Sequence, residues 1–539
     1  MWKDTSSVTS PALKRILGIV VSLSAISLVL ESVAGVGGRS RLIDLTGVLI
    51  ERPLWLLIFG VWLVFVLARF STRSWATATA LVLRYAPLYL CVPLVNDLVS
   101  WLGLESTAPT FVNILEAPVS LLTLGWLPRF LASPGVLVGL LVAAIVLALE
   151  LKRLNVSPKR ILFIAILWLF GSLVLLLLPS LVSWIVVSSS VSPLNAGPNV
   201  LARAWIALSQ EGYWWRSIID RFPGILEGEA EASVRLLQLA LVWLIGLGVL
   251  IGIGIRRRVL SWRQWMSWFK PVRGLSLLAS AFFGMWVGAL IGGGAIVLRA
   301  VDILAVVLFI TLLLGVWIFS VWRNDLHDLP QDRELGRVDR PLVNGQLSLE
   351  EYARYGMGAA AVFLVGGWLL GWPVLLPCLV FLVLQEGLAS PLLRWKDRWY
   401  GLVPLALSWL MLALSGVFFA VRSASVPLLH PMIWLAIAAF VFLQAVPRAM
   451  RWSPQTFTKL AGFFRLSPRM LIPIALALSY LLVPLLAGWV IVWWIAIPSA
   501  VVALLPLLGN GRWDERKMVG WQTAFILIAF FLLSVRPSP

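Results

Sequence analysis

Long apolar runs constrain this chain more than any other feature. A helix needs about 20 mainly apolar residues to cross the hydrocarbon core of a bilayer. Backbone polar groups in lipid must be satisfied within the segment, so such runs are predicted to be helices. The chain is therefore predicted to be an all-α polytopic membrane protein with about fifteen transmembrane helices, near 14–35, 53–69, 78–103, 133–150, 161–188, 236–255, 274–298, 301–322, 354–371, 373–390, 400–421, 429–446, 470–486, 488–508 and 519–535.

The overall composition excludes a water-soluble protein. Of the 539 residues, 60% are hydrophobic and 13% are charged, whereas soluble domains have about 45–50% apolar and about 25% charged residues. Intrinsic disorder is excluded as well, because it requires low hydrophobicity. Both cysteines, Cys91 and Cys378, lie inside apolar runs, which excludes a disulfide framework and a cysteine zinc site.

The positive charge is distributed along the chain as a membrane topology signal. The net charge is +18, and most Lys and Arg residues fall in alternate loops between the predicted spans. Positive residues stay cytoplasmic, so we expect a multi-pass plasma-membrane protein with its N-terminus inside and its C-terminus outside. Because topology accounts for the basic excess, we expect a lipid bilayer as the environment and no nucleic-acid partner.

The basic stretch from Arg256 to Arg273 is the clearest boundary along the chain. It separates a predicted six-helix N-terminal membrane module, 1–258, from a predicted nine-helix domain, 259–539. The nine-helix part has short outer loops and longer inner loops, so its chemistry is expected to face the cytoplasm. Gly284 and Gly288 have the small-xxx-small spacing that allows close helix contact, as do Gly248 and Gly252.

An acidic stretch follows the eighth predicted span. Asn324, Asp325, Asp328 and Asp332 are spaced so that, on a helix, the three carboxylates lie on one face. Oxygen ligands of this kind suit Mg²⁺, and the predicted ligands are Asn324, Asp325 and Asp328. Arg337 and Arg340 follow closely, and arginine suits bidentate phosphate recognition. The alternative is an ordinary solvated segment whose charges neutralise one another.

These residues also carry a resemblance to a known family. The pattern Asn324-Asp325-x-x-Asp328-x-x-x-Asp332, followed by Arg337-x-x-Arg340-Pro341-Leu342-x-x-Gly345-x-x-Ser348, resembles the first aspartate-rich motif of the UbiA superfamily of intramembrane prenyltransferases. Lys270-Pro271-Val272-Arg273 resembles the start of that family's first helix. The segment from Ser390 to Lys396 resembles its Tyr-Ser/Thr-x-x-x-Lys motif, with Ala389 in place of the tyrosine. The resemblance covers about residues 265–539, including nine predicted helices.

The resemblance implies a reaction and a set of roles. It implies Mg²⁺-dependent transfer of a prenyl group from a polyprenyl diphosphate to an apolar or lipid acceptor at the cytoplasmic face. Asp325, Asp328 and Asp332 would be the catalytic carboxylates, and Asn324 would join the first two as a metal ligand. Arg337, Arg340 and Lys396 would bind the diphosphate.

The chain departs from the family at its second aspartate motif. There is no Asp or Glu between Arg398 and Trp513. We infer that Arg448 and Arg451 replace the second metal by contacting phosphate directly. The alternatives are a non-catalytic lipid-phosphate binder or transporter, and a membrane assembly partner whose aspartate stretch binds another protein.

Two further residues near the acidic stretch are open to interpretation. Glu386, near the inner end of a predicted span, is a candidate contact for the acceptor. His327 lies between two of the aspartates and is either a ligand or proton carrier, or a bystander.

Overall fold

The structure is a computed structural model of the whole chain. The residues that it describes are 52–71, 75, 77–82, 134–172, 218, 230–257, 270–291, 300–337, 340, 342–393, 395, 399–421, 431–452, 468–487, 492–505, 521, 524, 525 and 528. The predicted first span, 14–35, and most of the spans 78–103 and 519–535 lie outside these residues.

Every regular element in the described residues is helical. The helices are α1 Arg52–Phe70, α2 Pro134–Arg153, α3 Ala230–Arg257, α4 Pro271–Ile291, α5 Ala300–Glu334, α6 Leu349–Leu370, α7 Trp372–Ala389, α8 Leu402–Ala420, α9 Pro431–Trp452, α10 Pro468–Ala487 and α11 Trp493–Leu504. A 3₁₀ turn, Trp399–Gly401, precedes α8, and residues 158–172 are helical as well.

Within the described part of the chain, four helical segments are long and apolar enough to cross a membrane: Asp302–Glu334, Leu349–Leu370, Trp372–Ala389 and Leu402–Ala420. This supports the predicted all-α membrane protein. The total of about fifteen spans is not confirmed. The plasma membrane and the orientation of the termini stay predictions.

The chain divides into two compact units. One comprises Met1–Glu211 and Pro223–Arg257, and the other Gly212–Phe222 and Arg258–Pro539. In the first unit, α1 packs against α3. A buried apolar cluster that includes Val66, Leu151 and Trp168 joins α1 to α2 and to the helical residues 158–172. The separate roles proposed for the two parts of the chain stay predictions.

In the second unit, glycines bring α4 and α8 into backbone contact. A Cβ atom built on Gly284 would overlap the carbonyl oxygen of Ala413, and one on Gly416 would overlap that of Ala281. Side chains at these positions would force the helices apart, so the glycines set their separation. Gly288 packs against Val417 in the same way. By contrast, no atom of the described residues lies within 4 Å of a Cβ built on Gly248, and the surroundings of Gly252 lie outside the described part, so the close contact expected there stays a prediction.

The other helices of this unit pack in a continuous series. α5 lies against α6 and α7, α7 against α8, α8 against α9, α9 against α10, and α10 against α11. Aromatic rings fill the space between them: Phe309 of α5 stacks on Phe419 of α8, and Phe440 of α9 contacts Phe283 of α4 and Tyr480 of α10. The packing of α4, α5, α6 and α7 positions the polar site described below.

Replacing Gly284 with alanine tests the close contact between α4 and α8. Alanine is normally the better helix former by about 1 kcal/mol, but overpacking here is expected to cost about 1–3 kcal/mol net of that gain. Gly358→Ala in α6, where nothing lies within 4 Å of the built Cβ, is the matched control and should be neutral or stabilising. Chemical unfolding in detergent measures both; equal effects would contradict the close contact.

Candidate functional site

The aspartate-rich stretch is the last part of a long helix rather than a loop. Helix α5 continues past the predicted end of its span and through Pro330 to Glu334. Gly336, at φ 61°, ends it: the amide of Gly336 donates to the Arg333 carbonyl, and the amide of Arg337 donates to the Asp332 carbonyl. This is the Schellman arrangement, in which a left-handed residue satisfies the last carbonyls of a helix. The helix holds the acidic side chains in a fixed register.

Asp325 is buried and contacts three other segments of the chain. Its Oδ1 lies 2.8 Å from Nζ of Lys270, just before α4, and 3.6 Å from Nη1 of Arg340. Its Oδ2 accepts a hydrogen bond of 2.9 Å from the hydroxyl of Tyr352 in α6. Burying a carboxylate is costly unless it is paired and hydrogen-bonded, and these partners provide that compensation.

Lys270 reaches Asp325 from an unusual backbone conformation. Its φ is 47°, and few residues other than glycine have a positive φ. The position before a proline normally favours extended backbone, and Pro271 follows directly. Such conformations persist where the surroundings determine them and are frequent at functional sites. In this conformation the ammonium group of Lys270 pairs with Asp325, and its carbonyl accepts from the amide of Gly274.

Arg340 joins the two buried carboxylates. Its Nε lies 3.6 Å from Oδ2 of Asp332, and its Nη1 lies 3.6 Å from Asp325. Asp332 also pairs with Arg337, whose Nη1 lies 3.0 Å away. The cluster of Lys270, Arg337, Arg340, Asp325 and Asp332 contains three positive and two negative side chains, so it has one positive charge in excess.

The start of α6 is defined by its own local sequence. Ser348 caps the helix: its hydroxyl accepts from the Glu351 amide, and the Glu351 carboxylate accepts from the Ser348 amide. This reciprocal capping box fixes where the helix begins. Gly345, at φ 72°, makes the preceding turn. The first turns of α6 then carry the buried Tyr352 to Asp325.

Asn324 and Asp328 form a separate pair on α5. The amide of Asn324 donates to Oδ2 of Asp328 over 2.8 Å. Among the described residues, no group of three or more His, Cys, Asp and Glu side chains is placed to hold a metal ion. Mg²⁺ usually takes one or two carboxylates and completes its coordination with water and substrate phosphates. The donor set therefore fits one Mg²⁺ held by Asn324 and Asp328 together with a phosphate-bearing substrate.

A second polar cluster joins α5 to α7. Arg323 binds Glu386 through two hydrogen bonds, Nη2 to Oε1 at 2.6 Å and Nε to Oε2 at 3.0 Å. Nε2 of His327 lies 2.7 Å from Oε1 of Glu386. A carboxylate only accepts, so this nitrogen carries the proton. His327 is thus a partner of Glu386, and its role as a ligand, proton carrier or bystander stays a prediction.

A small cavity lies between α5 and α7, beside this cluster. Its volume is about 60 Å³, and its walls include Phe319, Ser320, Arg323, Asn324, Gln385 and Glu386. Gln385 is held in place by its amide, which donates to the Ser408 hydroxyl in α8. Asn324 and Glu386 thus line this cavity, whereas Asp325 does not.

The other predicted phosphate-binding residues lie outside the described side chains. Lys396 is not described, whereas its neighbour Trp395 packs over Gly387. Arg448 and Arg451 lie in the last turns of α9, which continues past its predicted end at residue 446, and their side chains lie outside the described part of the structure. Their contact with phosphate stays a prediction.

Sequence reasoning did not assign a role to Tyr352 or to the Arg323–Glu386 pair. The capping box Ser348-x-x-Glu351 is readable in the sequence and predicts that α6 begins before residue 354. Because α5 continues beyond residue 322, Arg323 and His327, four residues apart, lie on the same face of the helix. Their common partner is 59 to 63 residues away along the chain, which no local pattern indicates.

The comparisons with known proteins give similar structures only. No family model matches the chain, and no curated protein does. A UbiA homolog from Archaeoglobus fulgidus is 21% identical, with a TM-score of 0.37, and the match covers 50% of this chain and 100% of that chain. The same homolog bound to GPP and Mg²⁺ is 20% identical over 50% of this chain and 100% of that chain, at a TM-score of 0.38. Bound to DMAPP and Mg²⁺, it is 18% identical over 51% and 100%, also at 0.38.

These structures are of a homolog of UbiA, the family whose motifs the sequence resembles. Their TM-scores lie below 0.5 and their identities below 25%. The function proposed below therefore rests on the residues of the site and not on this likeness.

Removing the ammonium group of Lys270 tests the buried ion pair. Lys270→Met keeps the length of the side chain but leaves Asp325 with fewer partners, and we expect a loss of about 2 kcal/mol or more in the free energy of unfolding. The side chains of Lys270 and Asp325 are 14% and 8% exposed. Arg354→Met is the control, because Arg354 and Glu350 are 64% and 79% exposed; such pairs contribute about 0–1 kcal/mol. Chemical unfolding in detergent compares the two, and similar losses would refute a stabilising role for Lys270.

Proposed function

We propose that the chain is a member of the UbiA superfamily that transfers a prenyl group from a polyprenyl diphosphate to an apolar or lipid acceptor. The reaction takes place at the cytoplasmic face and depends on Mg²⁺. The observation that carries the proposal is that the Asn324–Asp328 pair lies on the same stretch of α5 as Asp325 and Asp332, which pair with Lys270, Arg337 and Arg340. A diphosphate requires a metal-binding carboxylate and fixed cations together.

The five charged side chains of the buried cluster have complementary roles in this proposal. Asp325 and Asp332 hold the basic side chains in position, and those side chains bind diphosphate oxygens. Arg340 suits this role, because it lies 3.6 Å from each of the two carboxylates. A guanidinium group has five N–H donors, and arginine binds phosphate oxygens through paired hydrogen bonds of fixed geometry.

Asn324 and Asp328 would hold the metal, which, when bound, stabilises negative charge on the leaving diphosphate. Fixed cations contribute to the same stabilisation. The apolar walls between α5 and α7, including Phe319, Leu382 and Leu388, keep water from the reacting carbon, where an allylic cation develops. Exclusion of water prevents its capture by hydrolysis.

A second candidate function is a non-catalytic binder or transporter of lipid phosphates. The pairing of Asp325 and Asp332 with basic side chains favours it, because these carboxylates are engaged within the protein. The absence of Asp and Glu between Arg398 and Trp513 favours it as well. Binding of a prenyl diphosphate without turnover would decide for this function.

Asp328→Asn tests the catalytic role directly. Purified protein in detergent with native lipid extract is given a labelled prenyl diphosphate, and product and released diphosphate are measured against Mg²⁺ concentration. We expect turnover to fall by at least about 100-fold, the scale for removing one charge-stabilising group, with more Mg²⁺ needed for the remainder.

Glu350→Gln is the matched control for this experiment. Glu350 is an exposed carboxylate that pairs with Arg354, and its loss is expected to leave turnover unchanged. Turnover by Asp328→Asn equal to that of the unaltered chain would disprove the metal role. No turnover in either, with Mg²⁺-dependent binding retained, would support the lipid-phosphate binder.

Arg448→Ala combined with Arg451→Ala tests the replacement of the second aspartate motif. If these arginines bind the diphosphate, KM for the prenyl diphosphate should rise by about tenfold or more, the scale of one charged hydrogen bond. The Mg²⁺ requirement should stay as in the unaltered chain, because Asn324 and Asp328 remain. Unchanged KM would show that the two arginines serve topology alone.

A further inference from the structure

The cavity between α5 and α7 has polar groups that the diphosphate site does not use. Arg323 from α5 and Gln385 and Glu386 from α7 line it, together with Ser320 and Asn324. Its apolar lining residues are Phe319, Leu382, Leu388 and Ala389. A cavity that combines apolar walls with placed polar groups is the usual form of a binding site for a small molecule.

Glu386 has hydrogen-bonding capacity beyond its contacts with the protein. A carboxylate can accept about four hydrogen bonds. Oε1 accepts from Arg323 and His327, and Oε2 accepts from Arg323. Among the described residues these are the donors to Glu386, which leaves one lone pair on Oε2 for a further donor. The side chain of Glu386 is 35% exposed, so a molecule in the cavity can reach it.

Asn324 connects this cavity with the metal pair. It lines the cavity and also donates to Asp328. A molecule in the cavity is therefore separated only by the Asn324 side chain from the place where the proposed function puts the leaving diphosphate. This is where the second substrate of a transfer reaction must be held.

We propose that the cavity binds the hydroxyl head group of the acceptor, and that this hydroxyl donates a hydrogen bond to Glu386. This inference rests on the proposed function, and it narrows the acceptor to a hydroxyl-bearing lipid or alcohol. Arg323 and His327 are positioning residues that fix the carboxylate. A volume of about 60 Å³ holds a head group of a few atoms, so the acceptor's chain lies outside the cavity.

If the Glu386 carboxylate recognises the hydroxyl group, the cavity should bind an alcohol in preference to a hydrocarbon. A site built to hydrogen-bond a hydroxyl group discriminates against an analogue that lacks the hydroxyl, because that hydrogen bond is then not made. If the Arg323–Glu386 pair only joined two helices, alcohols and hydrocarbons of equal length would bind alike. The comparison of these two probes therefore separates the two roles.

Thiol protection measures occupancy of the cavity without any turnover. Ala389 lines the cavity, and Ala389→Cys is prepared in a chain in which Cys91 and Cys378 are changed to Ser. The rate of maleimide labelling is measured in detergent with dodecan-1-ol or with dodecane. We expect dodecan-1-ol to slow labelling at concentrations at which dodecane has no effect.

Glu386→Gln, made in the same Ala389→Cys chain, replaces the carboxylate with an uncharged amide of nearly the same volume. We expect at least about tenfold more dodecan-1-ol to be needed for equal protection, the scale of one hydrogen bond to a charged group. Glu350→Gln, the exposed control, should leave protection unchanged. Ser320→Leu fills the cavity without altering the Arg323–Glu386 pair and should abolish protection even if Glu386→Gln does not fold.

Two outcomes overturn the inference. One is equal protection by dodecane and dodecan-1-ol. The other is full protection in folded Glu386→Gln or in Ser320→Leu. Because the assay contains no diphosphate and needs no catalysis, failure of the proposed prenyl transfer leaves its result readable. Prenyl transfer with no protection would show that the acceptor binds elsewhere.

Discussion

The buried carboxylate of Asp325 is the constraint on which the site depends. Its partners come from the start of α4, from the segment between α5 and α6, and from α6 itself. A buried charge must be compensated, so these segments can pack only in an arrangement that brings Lys270, Arg340 and Tyr352 to it. The same arrangement collects the basic side chains at one end of α5.

The local structures around Asp325 make that arrangement reproducible. The Schellman turn at Gly336 ends α5, and the capping box of Ser348 begins α6, so the connecting segment has defined ends. The close approach of α4 and α8 at Gly284 and Gly416 fixes the position of α4 against α8. Lys270 directly precedes α4. These local structures place Lys270, Arg337 and Arg340 within reach of the carboxylates.

The two polar clusters of the site differ in their relation to solvent and cavity. Asp325 and Asp332 are buried and paired, so they act as counterions inside the protein. Glu386 is partly exposed and lies beside the cavity, although it too is paired. The proposed division of labour follows from this difference, because only a group that a small molecule can reach can recognise one.

The sequence by itself determined the helical membrane class, because composition and long apolar runs leave no other way to satisfy the backbone. It also located Asn324, Asp325, Asp328, Asp332, Arg337 and Arg340 through their regular spacing. Only the tertiary structure decided the partners of these residues. Lys270 lies 55 residues from Asp325, and Glu386 lies 63 residues from Arg323. Pairing over such separations depends on how the helices pack, and helical periodicity contains no information about which face meets which.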